Sequence, residues 1–242
     1  MEIVKRLPKT LEIKIRHFVV GYKYLQYTGY EHIKGYHDSN GRMIGLWLEY
    51  RSGDLLVSSE WENGQKHGTY KSWYDFDTSL MRECYVCVRG CYHGTYKKWH
   101  TNGKLDQLYR YQYGVREGLQ KKWYKTGQIE ELETYKDGVK HGIYKCWFES
   151  GRLCSLKPYK NGLYHGVVLV WYYTGQLQSR CSYKDGKPHG IHTTWFINGN
   201  KWMDCTYQNG ERHGIFEEYH ENGKLRCEIE YDCDRAVRIR TY

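Results

Sequence analysis

The sequence predicts an all-β chain: an elongated, twisted, single-layer antiparallel β-meander built from about nine 24-residue β-hairpin repeats. Three observations predict it. A His-Gly pair recurs at near-constant spacing along the 242 residues. The composition sets 26 Tyr, 9 Trp and 26 Gly against 3 Pro, a mixture that favours strands punctuated by tight turns. Between the turns, short runs alternate large apolar and polar residues, as strands do.

The repeat is the strongest of these signals, and periodicity of this kind decides the fold before any local reading does. The markers are His67-Gly68, His93-Gly94, His141-Gly142, His165-Gly166, His189-Gly190 and His213-Gly214. Glu117-Gly118 and Ile44-Gly45 fill the gaps, and Val20-Gly21 begins the series in degenerate form. The steps between marker glycines are 24, 23, 26, 24, 24, 24, 24 and 24 residues. Four residues before most markers stands a turn glycine after Asn or Asp, as at Asp137-Gly138, Asn161-Gly162, Asp185-Gly186 and Asn209-Gly210. Nine residues after the marker comes a second turn glycine: Gly103, Gly127, Gly151, Gly175, Gly199 and Gly223. Glycine supplies the positive φ of tight hairpin turns, and Asn or Asp tolerates the same geometry one position earlier.

Within a unit, Ile143–Phe148 reads as one strand and Leu153–Tyr159 as the next. Strict alternation along them places Ile143, Trp147, Leu153 and Tyr159 on one face. Tyr144 and Phe148 fall on the other, with polar residues such as Arg180, Asp204 and Glu228. The expected core is therefore a spine of Trp73, Trp99, Trp123, Trp147, Trp171 and Trp195, one ring per unit. No unit can bury such a spine alone, so neighbours must stack in register. The expected organisation is an N-terminal capping strand in residues 1–20, tandem repeats over 21–231 and a C-terminal cap over 232–242. At two strands per unit and 4.7–4.9 Å between strands, the repeats would make a rod of roughly 85 Å.

The pattern Asn-Gly-x-x-His-Gly-x-Tyr-Lys-x-Trp-Tyr-x-x-Gly-x-Leu, closing on Tyr-Lys-Asn/Asp-Gly, resembles the MORN-repeat variant. It is cleanest over 137–159 and 161–183. The resemblance implies a twisted single-layer β-sheet rod that serves as an interaction module, often at membranes or in large assemblies. Arrays of this variant are abundant in large DNA viruses of amoebae and also occur in bacteria. The chain departs from the pattern at both ends. It departs again in the third unit, where Asp75–Leu80 carries two extra residues and no second glycine.

Several residue sets invite a chemical reading. The marker histidines could bind metal together, but units about 9–10 Å apart cannot share one zinc with bonds of about 2 Å. They read instead as turn-capping groups. Cys84, Cys87, Cys91 and His93 have the composition of a Cys₃His zinc site, yet Cys84 and Cys87 lie three apart on a strand and should face opposite ways. No metal is expected, and this quartet is the one candidate set. Cys181 and Cys205 occupy one repeat position and exceed the roughly 7 Å limit for a disulfide, so they read as core thiols. Lys71, Lys97, Lys121 and Lys145 share another position, with Lys98 and Lys122 beside two of them. This basic ladder could track phosphates, or it could keep a rod soluble.

The repeats consume the chain, and no G-x-S-x-G, P-loop or H-E-x-x-H motif occurs. No catalytic residue and no cofactor is expected. No run of 18 apolar residues exists to span a membrane, and the N-terminus lacks the apolar core of a signal peptide. Nine irregularly spaced Cys point to free thiols in a reducing compartment, cytoplasmic or virion. The expected function is a non-enzymatic scaffold for protein–protein interaction or assembly, including a viral structural or virion-associated role. The alternatives are a peripheral membrane adaptor, using the net charge of +9 to bind anionic lipid, and a nucleic-acid-binding protein. Sheet edges offer a route to self-association.

Overall fold

A computed structural model describes residues 22–28 and 31–242. The expected capping strand in residues 1–20 lies outside them. All regular elements among the described residues are strands. The chain divides into two units, Met1–Gly103 and Lys104–Tyr242. Each is an antiparallel meander in which successive long strands pair, and a short two-residue strand before most markers pairs with the same preceding strand as the one after it.

In the first unit, Tyr22–Thr28 pairs with Glu31–His37, which pairs with Met43–Arg51, and so on through Asp54–Glu62, Gln65–Tyr74 and Asp77–Val88. The irregular third repeat explains itself here. Asp75 and Phe76 form a two-residue connection where other repeats use the second glycine turn, and the extra residues lengthen the following strand to 12 residues.

In the second unit the repeat is regular, and Gly142–Lys160 represents it. Strand Gly142–Trp147 pairs with Leu153–Lys160, from Gly142 opposite Tyr159 to Trp147 opposite Leu153. The outer turn is Asn161-Gly162, both at positive φ (51° and 81°), the two-residue geometry whose twist matches the flanking strands. Its Gly162 N–H donates to the Lys140 carbonyl of the preceding repeat at 2.8 Å. Gly138 to Arg116, Gly186 to Tyr164 and Gly210 to Pro188 repeat this bond at 2.8–3.0 Å. Tyrosine hydroxyls add a second interlock: Tyr124 donates to the Trp147 carbonyl at 2.8 Å and Tyr172 to that of Trp195 at 2.9 Å. Neighbouring hairpins are thus held together by the backbone, with a tyrosine added at these steps. Within residues 232–242, the stretch expected to cap the C-terminus, strand Arg235–Thr241 pairs with Leu225–Asp232.

Strict alternation fails at one recurring place. Cys146 faces Ser155 but Trp147 faces Leu153, so Cys154 is an extra, bulged residue. The same irregularity precedes Trp123, Trp171 and Trp195. A bulge reverses the phase of everything beyond it. Ile143, Trp147 and Leu153 do share a face, but Tyr159 does not join them. It lies with Tyr144 on the opposite face, because its partner is Gly142.

The core moves with it. Trp73, Trp99, Trp123, Trp147, Trp171 and Trp195 are half-buried, and Ile143 on their face is 51% exposed. The buried side chains concentrate on the tyrosine face, at one cross-strand pair per hairpin. Trp47 opposes Ser59, Tyr70 opposes Tyr85, Gln120 opposes Glu133, Val168 opposes Cys181 and His192 opposes Cys205. Trp47, Ser59, Tyr85, Gln120, Glu133, Val168, Cys181 and Cys205 are all buried. These positions vary from repeat to repeat, so each hairpin has its own core pair inside a common backbone frame.

Candidate interaction face

The tyrosine face builds up rung by rung. Two residues before each marker glycine, the chain places a side chain directly across from the preceding repeat's closing tyrosine. Arg116 opposes Tyr111, Lys140 opposes Tyr135, Tyr164 opposes Tyr159 and Arg212 opposes Tyr207. The cations at these positions make cation–π contacts with tyrosine rings of neighbouring rungs. The Arg116 guanidinium lies 4.8 Å from the Tyr109 ring centre and 5.3 Å from that of Tyr135. The Lys140 ammonium lies 5.1 Å from Tyr144 and 5.5 Å from Tyr159. In the first unit Lys66 plays the same part, 4.3 Å from the Tyr70 ring.

One carboxylate organises the centre of this ladder. Glu133, only 8% exposed, accepts from Arg116 at 3.2 Å and pairs with Lys140 at 2.9 Å. Burial works against the Lys140 charge, and the Glu133 carboxylate outweighs it, so the ammonium is held above its usual range. Tyr144 donates to Glu131 at 3.1 Å, and the Lys157 ammonium sits 5.4 Å from the Tyr144 ring. Burial raises the Tyr144 and Tyr159 phenols well above the ordinary tyrosine range, so both remain neutral hydrogen-bond donors. Between these groups lies a shallow cavity of about 450 Å³. Its lining carries four cations, Arg116, Lys122, Lys140 and Lys157, against two carboxylates, Glu131 and Glu133. The surface is preordered, aromatic, rich in donors and net positive. Such a surface suits binding of an extended or acidic segment.

The residues singled out by sequence distribute otherwise. The marker glycines take positive φ, 78° at Gly94, 87° at Gly142 and 111° at Gly166, and interrupt or bend the strand. The marker histidines reach toward the next repeat's turn. His165 Nδ1 lies 3.2 Å from the Asp185 carboxylate, and His189 Nδ1 accepts from the Asn209 N–H at 3.4 Å. His67 faces Glu62 at 3.2 Å, and His141 Nδ1 is buried. Cys84, Cys87, Cys91 and His93 are not gathered into a metal site. Cys84 opposes Lys71 and Cys87 opposes Gly68, which puts the two thiols on opposite faces. Cys91 opposes Val88, four residues along from Cys84 and so about 13 Å away at the usual strand rise. Lys71, Lys97, Lys121 and Lys145 lie on the tryptophan face, whereas Lys98 and Lys122 lie on the tyrosine face.

Sequence reading missed Arg116, Lys140, Glu133 and Gln120. The first two were legible as a cation recurring two residues before the marker. Glu133 and Gln120 carried no such signal, because their positions vary between repeats.

Five stretches of the chain match the MORN repeat variant: residues 92–113, 116–137, 140–161, 164–185 and 212–232. Each begins at or close to the rung residue before the marker and ends at or near the outer turn. The hairpins outside these stretches, such as Lys187–Trp195 with Lys201–Gln208, share the same register. No curated protein matches the chain. MORN repeats are a non-catalytic repeat type, commonly used for interaction with proteins and membranes. No helix among the described residues is long and apolar enough to cross a membrane.

Proposed function

We propose that this protein is a non-enzymatic scaffold that captures a protein partner along its tyrosine face. The observation that supports this is the Arg116–Glu133–Lys140 ladder. It holds two cations between tyrosine rings in a fixed geometry, so little side-chain entropy is lost when a partner docks. Nine free thiols fit a reducing location, cytoplasmic or virion, and a role in a virion or in virus assembly belongs to the same proposal. The test is a pull-down from the native source with paired variants. Tyr144→Ala with Lys140→Glu should lose the partner, whereas Ile143→Glu with Lys145→Glu on the other face should keep it. Loss with the second pair alone refutes the reading.

A second reading has its own support. In the second unit the tryptophan face combines Lys121 and Lys145 with exposed Leu119 and Ile143, 43% and 51% exposed, a pairing suited to anionic lipid. Co-sedimentation with phosphatidylserine vesicles that falls steeply with salt, and is abolished by Lys121→Glu with Lys145→Glu, is the result this reading expects.

A further inference from the structure

The repeat frame supplies an internal standard: a chemistry that departs from it at several positions at once stands out. In the last repeat the departures all run toward metal-ligating side chains. Three positions there meet around the marker histidine. Three residues before the marker glycine, three successive repeats place an aliphatic group, Val115, Val139 or Leu163, beneath the next outer turn, within 2.7–3.2 Å of where a turn-glycine Cβ would stand. The last repeat has Glu211. Eighteen residues after the marker, Lys136, Lys160 and Lys184 become Asp232. The outer-turn residue, Asp137, Asn161, Asp185 or Asn209 in the four preceding repeats, becomes Cys233. Every replacement is a metal-ligating type, and one reverses a charge.

The structure brings them together. One donor atom each from His213, Asp232 and Cys233 lies within 4.8 Å of the other two, the only such trio among the described residues. His213 Nδ1 and Asp232 Oδ1 are 3.4 Å apart. Two ligands with bonds of about 2.0–2.1 Å to a tetrahedral zinc stand about 3.4 Å apart, so this edge is already spaced for the ion. The Cys233 thiol must approach by up to about an ångström, within the reach of a χ1 adjustment on an exposed turn. Asp232 and Glu211 flank the thiol, and their negative charge attracts a cation. Of the two cations beside the site, Arg212 is engaged, its Nε 2.7 Å from the Asp234 carboxylate, which also accepts the Arg212 N–H at 3.1 Å and holds the turn in place, while Arg235 stands across the strand from Asp232.

We propose that His213, Asp232 and Cys233, with Glu211 alongside, form a binding site for a borderline divalent transition-metal ion of the zinc class. Mixed nitrogen, oxygen and sulfur donors suit such an ion better than magnesium or calcium, which prefer all-oxygen shells. The ion would tie the last outer turn to the marker histidine, as carboxylates and backbone do in earlier repeats.

Cobalt(II) is the probe, titrated into the full chain under a non-thiol reductant. One saturable site per chain with a thiolate-to-cobalt charge-transfer band is expected, and zinc should displace it. Cys233→Asn restores the residue of Asn161 and Asn209, and Asp232→Lys restores that of Lys160, so neither disturbs the repeat. Cys233→Asn should abolish the band. Asp232→Lys and His213→Gln should each weaken binding by at least about tenfold, since even outer-shell losses cost that much. Cys84→Ser and Cys91→Ser should change nothing. Absence of saturable binding overturns the proposal, as does a band that survives Cys233→Asn or an affinity indifferent to His213→Gln.

Discussion

Gln120 is fully buried, and its amide fills an opening in the ladder between the Leu108–Lys121 rung and the Tyr111–Arg116 rung. Its Oε1 accepts the Arg110 N–H at 2.9 Å. Its Nε2 donates to the carbonyls of Arg110, Glu117 and Gly118 at 3.0–3.2 Å. Gln120→Leu keeps most of the volume and deletes all four bonds. The Arg110 carbonyl retains the Glu117 N–H at 3.0 Å, so the chief casualty is the Arg110 N–H. One buried donor left without a partner costs about 1–3 kcal/mol, and the four bonds must not be summed separately. Gln120→Ala adds a void and should cost about 1 kcal/mol more at roughly 24 cal/mol per Å³. Repeat arrays open locally, so amide hydrogen exchange reads this better than a global melt. Strands Leu105–Gln112 and Gly118–Trp123 should exchange about 5- to 150-fold faster in Gln120→Leu, which is 1–3 kcal/mol at 1.4 kcal/mol per decade. Strand Gly214–Tyr219 should not change. Equal protection in the two proteins, or a uniform rise across the chain, would refute the reasoning.

Four further outcomes follow from the same geometry. Gly138→Ala should cost more than Gly118→Ala. Both glycines have positive φ, worth about 1–2 kcal/mol, but only at Gly138 does a Cβ meet Val115 Cγ1 at 2.7 Å, and a thermal-melt cycle with Val115→Ala should recover the difference. Trp147→Ala should cost about 2–3 kcal/mol in urea, below the 3–5 of a fully buried aromatic, because its ring is half-buried. Burial lowers the His192 pKa below 6.5, with Asp204 opposing, so the folded state keeps it neutral while the unfolded chain takes up a proton. The urea midpoint should hold above pH 6.5 and decline as pH drops through the folded-state pKa, and His192→Gln should remove this component. In thiol titration, exposed Cys91 should label rapidly. Cys87, Cys181 and Cys205, which are buried and have raised pKa values, should label only on denaturation; rapid labelling of Cys205 would contradict its placement.

The sequence by itself determined the repeat, the strand content and both turn types. These depend on local chemistry: Asn161-Gly162 and Gly151 take a positive φ whatever surrounds them, and a constant step leaves hairpins little choice but to pair with their neighbours. It also separated Cys84 from Cys87 correctly, because no bulge lies between them. Only the tertiary structure decided which face holds the core. One bulged residue per repeat, Cys154 in the representative hairpin, carries no distinctive side chain, yet it reverses the alternation and moves Tyr159 away from Trp147. The pairings that follow, Gln120 with Glu133, Arg116 and Lys140 around that carboxylate, and His213 with Asp232 and Cys233, join residues 7 to 20 apart across rungs. Register sets such contacts, and register depends on backbone hydrogen bonds that no side-chain pattern records.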